Sequence, residues 1–158
     1  MSNQNNNRAF GQLSSAQSQR PNTLKPVKVV LDAQEDTFGK EHAIDFVKED
    51  VIIKQSGMYL IIAGPQIGKL SGDQPRWIDF WLRVNNVDVP NSNVRQYVRD
   101  PLDKDVIITQ TVTRLNKGDT LNVMMSVEVQ NEGLGIEAIQ PVGEPLVPSI
   151  ILTVLQLQ

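Results

Sequence analysis

Residues 147–157 read VPSIILTVLQL, a stretch that contains neither a charged residue nor a glycine. Its β-branched and aliphatic side chains predict a β-strand. Successive side chains of a strand point to opposite faces, so Ile150, Leu152 and Val154 share one face, while the residues between them share the other. Both faces are apolar. One can line a core, and the other must be covered by a second sheet, a helix or another copy of the chain.

The sequence from residue 27 onward predicts short strands separated by turns rich in Gly, Pro and Asn. Asn85-Asn86 indicates a hairpin, because Asn tolerates positive φ. Residues 39–50 alone have a weakly helical pattern. We therefore predict an all-β fold, a two-sheet antiparallel jelly-roll sandwich. The predicted strands are residues 27–33, 50–54, 57–67, 77–84, 93–98, 105–115, 120–129, 136–139 and 147–157.

Residues 1–26 differ in composition from the rest of the chain. Residues 1–22 contain nine Asn or Gln, and Phe10 and Leu13 are their only large apolar side chains. Such a segment cannot bury enough apolar surface to form its own core. We predict an extended N-terminal arm over residues 1–26 and a jelly-roll domain over residues 27–158. Phe10 and Leu13 are the expected arm contacts, on a neighbouring subunit or on the arm's own domain.

Composition narrows the function classes. The chain has 158 residues, enough for one domain, and its net charge of -3 gives no reason to expect a nucleic-acid partner. It contains no cysteine, which excludes disulfides and cysteine chemistry. No stretch is long and apolar enough for a membrane span or a secretory signal. We expect synthesis in the cytoplasm and a final location on a cell or spore surface, or in an extracellular assembly, reached by another route such as cell lysis.

Three segments together resemble the jelly-roll superfamily of tumour necrosis factor and complement C1q, in its bacterial form without a collagen-like stalk. Residues 56–62 (SGMYLII) are similar to the Gly-x-Tyr strand of that superfamily. Residues 115–121 (LNKGDTL) are similar to its Leu-x-x-Gly-Asp turn, and residues 149–157 to its apolar closing strand. The resemblance covers roughly residues 27–157. A receptor-binding cytokine role is poorly supported, because the chain has neither a collagen-like run nor a coiled-coil heptad.

The resemblance implies a homotrimer in which the inner sheet of each copy packs about a threefold axis. The second apolar faces of residues 57–62 and 149–157 would then form the interface, as in a core cut in half. A monomer with these faces covered by the arm and loops is the alternative. The predicted interface residues are Tyr59, Leu60, Ile62, Ile150, Leu152 and Val154.

No catalytic set is evident, and we expect a protein that is not an enzyme and has no cofactor. His42 is the only histidine, and no serine has the context of a nucleophile elbow. The carboxylates of Asp100, Asp103 and Asp105 are weak candidates for a calcium site, but a solvated acidic turn is the favoured interpretation. Trp77 is either a carbohydrate-binding side chain or part of the core.

The sequence thus predicts a self-assembling structural protein. In this hypothesis the N-terminal arm connects trimers into a surface fibre, an appendage or a coat. The alternative is a soluble recognition module of the same fold, which binds carbohydrate or protein through its loops.

Overall fold

A computed structural model of the chain describes residues 8–38 and 44–158, apart from the side chains of residues 34–38. Every regular element in this part is a β-strand, and no helix in it is long and apolar enough to cross a membrane. The strands are β1 (Phe10–Ser15), β2 (Val27–Lys28), β3 (Ala33–Phe38), β4 (Ile44–Val47), β5 (Asp50–Ile53), β6 (Gly57–Gly68), β7 (Arg76–Val84), β8 (Val87–Asp88), β9 (Val94–Val98), β10 (Asp105–Val106), β11 (Thr109–Leu115), β12 (Thr120–Val127), β13 (Gly135–Ile136) and β14 (Ile150–Gln156).

One sheet contains the first and last strands, and we call it the terminal sheet. Its strands run in the order β3, β1, β14, β6 and β11, all antiparallel to their neighbours. β10 continues the side of β6 that β11 occupies, and β13 continues the side that β14 occupies. The long strand β6 is therefore paired on both sides along most of its length.

The other sheet carries both tryptophans on β7, and we call it the tryptophan sheet. Its antiparallel order is β4, β5, β12, β7 and β9, with β2 beside β12 and β8 beside β7. The inward side chains of both sheets meet in one core. These are the two antiparallel sheets of the predicted jelly-roll sandwich, and the predicted fold class is confirmed.

The core depends on strict alternation along the central strands. Tyr59 and Ile61 on β6 and Ile150, Leu152 and Val154 on β14 are fully buried. On the other sheet, Ile78, Phe80 and Leu82 of β7 are equally buried and belong to the same core. The Tyr59 hydroxyl donates a hydrogen bond to the Gln55 carbonyl (2.6 Å), so the buried ring keeps a partner for its polar end.

The arm prediction needs correction at residues 10–15. These residues form β1, which lies inside the terminal sheet between β14 and β3. Leu13 is fully buried in the core of its own chain, whereas Phe10 is 40% exposed. The boundary at residue 27 is therefore wrong as a limit of the folded domain. One buried leucine among polar residues is a weak sequence signal, and the backbone pairing with β14 holds this strand.

The predicted hairpin turn at Asn85-Asn86 is present and has the expected backbone. Asn85 and Asn86 both have positive φ (49° and 64°) and join β7 to β8. Two positive φ values are what a two-residue type I′ hairpin requires. The predicted helical pattern at residues 39–50 is not followed, since Ile44–Val47 is strand β4 and residues 39–43 lie outside the described part.

A partly buried ion cluster, formed by Lys69, Arg76 and Glu132, closes the loop between β6 and β7. The ammonium of Lys69, a fully buried residue, donates to the Gln74 carbonyl (2.6 Å) and lies 3.5 Å from the Glu132 carboxylate. The Arg76 guanidinium donates two hydrogen bonds to the same carboxylate (3.0 and 2.8 Å). These bonds from Arg76, and then the nearby charge of Lys69, hold the pKa of Glu132 below its ordinary value.

The position of Leu13 generates a prediction about the first strand. Leu13→Ala removes a fully buried side chain and should lower the free energy of unfolding by about 2–5 kcal/mol. Leu24→Ala is the matched control, because Leu24 lies in the same predicted arm but is 56% exposed. Urea denaturation of both variants measures the difference. Equal stabilities for the two variants would mean that β1 is dispensable.

The Glu132 cluster generates a prediction about acid. A carboxyl whose pKa is lowered on folding stabilises the protein above its ordinary pKa and loses that effect as the pH falls through the folded value. Between about pH 6 and pH 3, the melting temperature of the wild-type protein should therefore fall more than that of Glu132→Gln. Glu144→Gln, at an exposed position, should follow the wild type. If the melting temperatures of the wild type and Glu132→Gln fall by the same amount over this pH range, the Glu132 carboxylate does not stabilise the fold in this way.

Candidate functional site

The outward side of the terminal sheet is the candidate site, because it is apolar across four adjacent strands. Inward and outward positions follow from the alternation of burial along β6 and β14. We call the outward positions of β11, β6, β14 and β1 the apolar face. It consists of Gln110, Val112, Arg114, Met58, Leu60, Ile62, Gly64, Ile151, Thr153, Leu155, Phe10, Gln12 and Ser14.

The strand register arranges the apolar face in rows. Val112 pairs with Leu60, Leu60 with Leu155, and Leu155 with Phe10, so these four side chains form one row across four strands. Directly opposed side chains on antiparallel strands lie about 4.5–5.5 Å apart at Cβ, which is close enough for contact. This central row is therefore a continuous strip of apolar side chains.

Exposure distinguishes this face from the core side of the same sheet. Val112 is 55% exposed, Phe10 40% and Ile151 38%, whereas every core-facing residue of β14 is buried. Leu60, Ile62 and Leu155 are half-buried. Of the outward positions described on these four strands, only Arg114 carries a charge, and it lies at the end of β11. Extended apolar surfaces with so little charge are typical of interaction sites.

A buried ion cluster limits the apolar face at the far end of β6. The Gln66 side-chain amide donates to the Glu137 carbonyl, and the Glu137 amide donates to the Gln66 carbonyl (both 2.8 Å). The Glu137 carboxylate is ion-paired with Lys104 (2.8 Å) and Arg20 (3.3 Å). A side chain at Gly68 would overlap this carboxylate. This end of the outward side is thus covered by the chain's own polar groups.

The six predicted interface residues divide between the two sides of the terminal sheet. Leu60 and Ile62 lie on the apolar face, and their role in an interface stays a prediction. Four others lie in the core of the single chain and are fully buried there: Tyr59, Ile150, Leu152 and Val154. Those four assignments are wrong. Both β6 and β14 are apolar on both faces, so the alternation of side chains in the sequence does not distinguish the core side from the outer side.

Several residues of the apolar face were not anticipated. Ile151 and Leu155 lie on the other face of the closing strand, which the sequence also showed to be apolar, but we did not assign them to the interface. Val112 lies in an alternating Thr-rich strand, and its outward position follows only from its pairing with Leu60. Phe10 was assigned to the arm, and the pairing of β1 with β14 brings it into the central row.

The remaining candidates do not form a site with this face. The Asp100 carboxylate accepts hydrogen bonds from the Leu102 and Asp103 amides, while that of Asp105 accepts one from Gln96. Among the described side chains, those of residues 8–33 and 44–158, no group of three or more acidic, His or Cys residues could hold a metal ion. His42 lies outside the described residues.

Comparisons with known proteins identify the fold. No protein-family model matches the sequence, and the comparison with curated proteins finds no match. Solved structures are similar over almost the whole chain. Crystal structures of murine APRIL at pH 5.0 and pH 8.5 each cover 95% of this chain and 99% of their own, with a TM-score of 0.60 and identities of 14% and 13%. The structure at pH 8.0 has a TM-score of 0.61 and 12% identity, with the same coverage. APRIL belongs to the tumour-necrosis-factor superfamily, so the predicted fold resemblance is confirmed.

The two faces of β14 generate a matched pair of substitutions. Leu152→Asp buries an unpaired carboxylate in the core, at a cost of several kcal/mol, and should unfold the protein. Leu155→Asp changes the same residue type on the same strand but on the apolar face, and the chain should keep its sheet signal. Circular dichroism of both variants checks the assignment. Unfolding by Leu155→Asp with tolerance of Leu152→Asp would show that the faces are reversed.

Proposed function

We propose that the chain is a non-enzymatic structural module that assembles into a homotrimer through the apolar face. The observation that carries the proposal is the row of Val112, Leu60, Leu155 and Phe10, which crosses four strands without a charge. Covering such a row with a protein surface removes apolar area from water, and each Å² buried stabilises the assembly by about 25 cal/mol. Obligate interfaces have this composition, since they resemble a domain core cut in half.

A second copy of the chain is the partner that the fold favours. The resemblance to the tumour-necrosis-factor superfamily implies trimers built through the corresponding sheet. A threefold ring closes on itself, so three identical apolar faces can be buried around one axis without leaving an open end. The acidic and basic groups around Glu137 lie at the border of the face, where a polar rim is expected.

The location of β1 changes the role proposed for the N-terminal segment. Residues 10–15 are used as a strand of their own terminal sheet, and Phe10 lies on the apolar face. The proposal therefore assigns Phe10 to the trimer interface of its own subunit and no longer requires an arm that connects trimers. Growth into a fibre, an appendage or a coat is no part of this proposal.

Sedimentation and multi-angle light scattering on the full chain test the trimer. The wild-type mass should be about three times the 17.6 kDa of one chain. Leu60→Asp should give monomers, because a carboxylate would be buried without a partner in the assembled face. Val112→Asp, at a position 55% exposed in the single chain, should have the same effect with less risk to folding.

Val47→Asp is the matched control, because Val47 is 61% exposed on β4 of the tryptophan sheet. It should leave the mass unchanged. A wild-type protein that stays monomeric at every concentration contradicts the proposal. So does a trimer that survives both Leu60→Asp and Val112→Asp with unchanged melting.

A further inference from the structure

The outer side of the tryptophan sheet contains an open cleft of about 270 Å³ that is separate from the apolar face. Strand β7 and the turn after β8 supply most of its walls. Its lining residues are Asp79, Trp81, Asp88, Val89, Asn91, Asn93 and Ser126. Its volume lies just below the range of about 300–1,000 Å³ that is common for ligand pockets, so the cleft limits its ligand to one small molecule or to one unit of a chain.

The turn on one side of the cleft is fixed by a buried serine. The Ser92 hydroxyl accepts a hydrogen bond from the Leu82 amide (3.0 Å) and donates one to the Val89 carbonyl (2.8 Å). Asn91, one residue earlier, has a positive φ of 61°, which Asn tolerates. The backbone that presents Asn91 and Asn93 is thus anchored to β7.

The Trp81 indole, which also lines the cleft, is held in one orientation. The Trp81 Nε1 donates to the Asp88 carboxylate (2.7 Å), and Arg83 donates to the same oxygen (2.7 Å). The Asp79 carboxylate, another part of the lining, accepts two hydrogen bonds from Arg95 (2.7 and 2.8 Å). Each carboxylate of the lining therefore has an arginine partner, so the cleft favours neither a cation nor an anion strongly.

Several polar groups of the lining remain available for a ligand. Within the described part of the chain, the second carboxylate oxygen of Asp88 accepts no hydrogen bond. The side chains of Asn91, Asn93 and Ser126 form none among the described residues either. Together they offer acceptors, amide donors and a hydroxyl beside one aromatic surface.

We propose that this cleft binds a neutral sugar ring. A sugar presents an apolar C–H surface, which fits the Trp81 indole, and a rim of hydroxyls that both donate and accept. The free oxygen of Asp88 and the amides of Asn91 and Asn93 match that rim, since carboxylates accept and amides do both. Because Asp79 and Asp88 are already balanced by arginines, a sugar without charge is the preferred class.

Trp77 does not line the cleft, although it lies on the same side of β7. The Arg95 guanidinium lies 4.1 Å from the centre of its ring and covers that surface. The structure therefore moves the carbohydrate hypothesis from Trp77 to Trp81. Trimerisation through the terminal sheet would leave the cleft open, because it lies on the other sheet of the sandwich. The two proposals can fail separately.

Nuclear magnetic resonance of the full chain tests the site. The protein is titrated with glucose, galactose, mannose, fucose, N-acetylglucosamine and, as the anionic member, N-acetylneuraminic acid. At least one neutral sugar should shift the Trp81 indole resonance and leave that of Trp77 unchanged. Its affinity should fall by about tenfold or more in Trp81→Ala.

Two further variants separate binding from folding. Asn93→Ala changes an exposed side chain. It should lower the affinity for the same sugar and leave the melting temperature of the protein unchanged. Trp77→Ala is the matched control and should leave the affinity within about twofold of wild type. The proposal is overturned if no neutral sugar shifts Trp81, if only the anionic sugar does, or if both tryptophan variants lose binding equally.

Discussion

The pairing of β6 with β14 is the interaction on which the rest of the molecule depends. Seven register pairs, from Ile150 with Pro65 to Gln156 with Tyr59, join the strands in the middle of the terminal sheet. β11 adds to the free side of β6 and β1 to the free side of β14. The pairing needs Gly57, because a side chain there would overlap the Gln158 carbonyl oxygen and the Gln156 amide. The glycine of the Gly-x-Tyr segment thus permits a close approach of the chain's C-terminal residues.

Central strands that are apolar on both sides give the sandwich two unlike surfaces. The terminal sheet presents an uncharged row on its outer side, while the tryptophan sheet presents paired charges such as Asp79 with Arg95 and Asp88 with Arg83. Apolar area drives association without much directional preference, whereas fixed polar groups select a ligand by its hydrogen bonds. This difference between the two outer surfaces motivates the two proposals, assembly through the terminal sheet and sugar binding on the tryptophan sheet.

Most strands of the fold were predictable, because β-branched runs between Gly, Pro and Asn turns carry a strong local signal. Asn85-Asn86 is an example in which composition dictates the turn. Two features were not predictable. Strand β1 has a weak β-strand propensity and one buried leucine, so it forms only by pairing with β14. The cleft is built from β7, β8, the following turn and Ser126 of β12, residues that are far apart in sequence.

The sequence by itself determined the fold class, the turns and the presence of two strands with no polar side, since these depend on local propensity and on a period of two. It could not determine which parity of Ile150–Leu155 faces the core, because both parities are equally apolar. The tertiary structure decided this. Packing in the core shared with the tryptophan sheet buries Leu152, and the opposite parity, with Leu155, then lies on the apolar face. A shift of one residue would exchange the two faces. The surface proposed for assembly is therefore set by strand register.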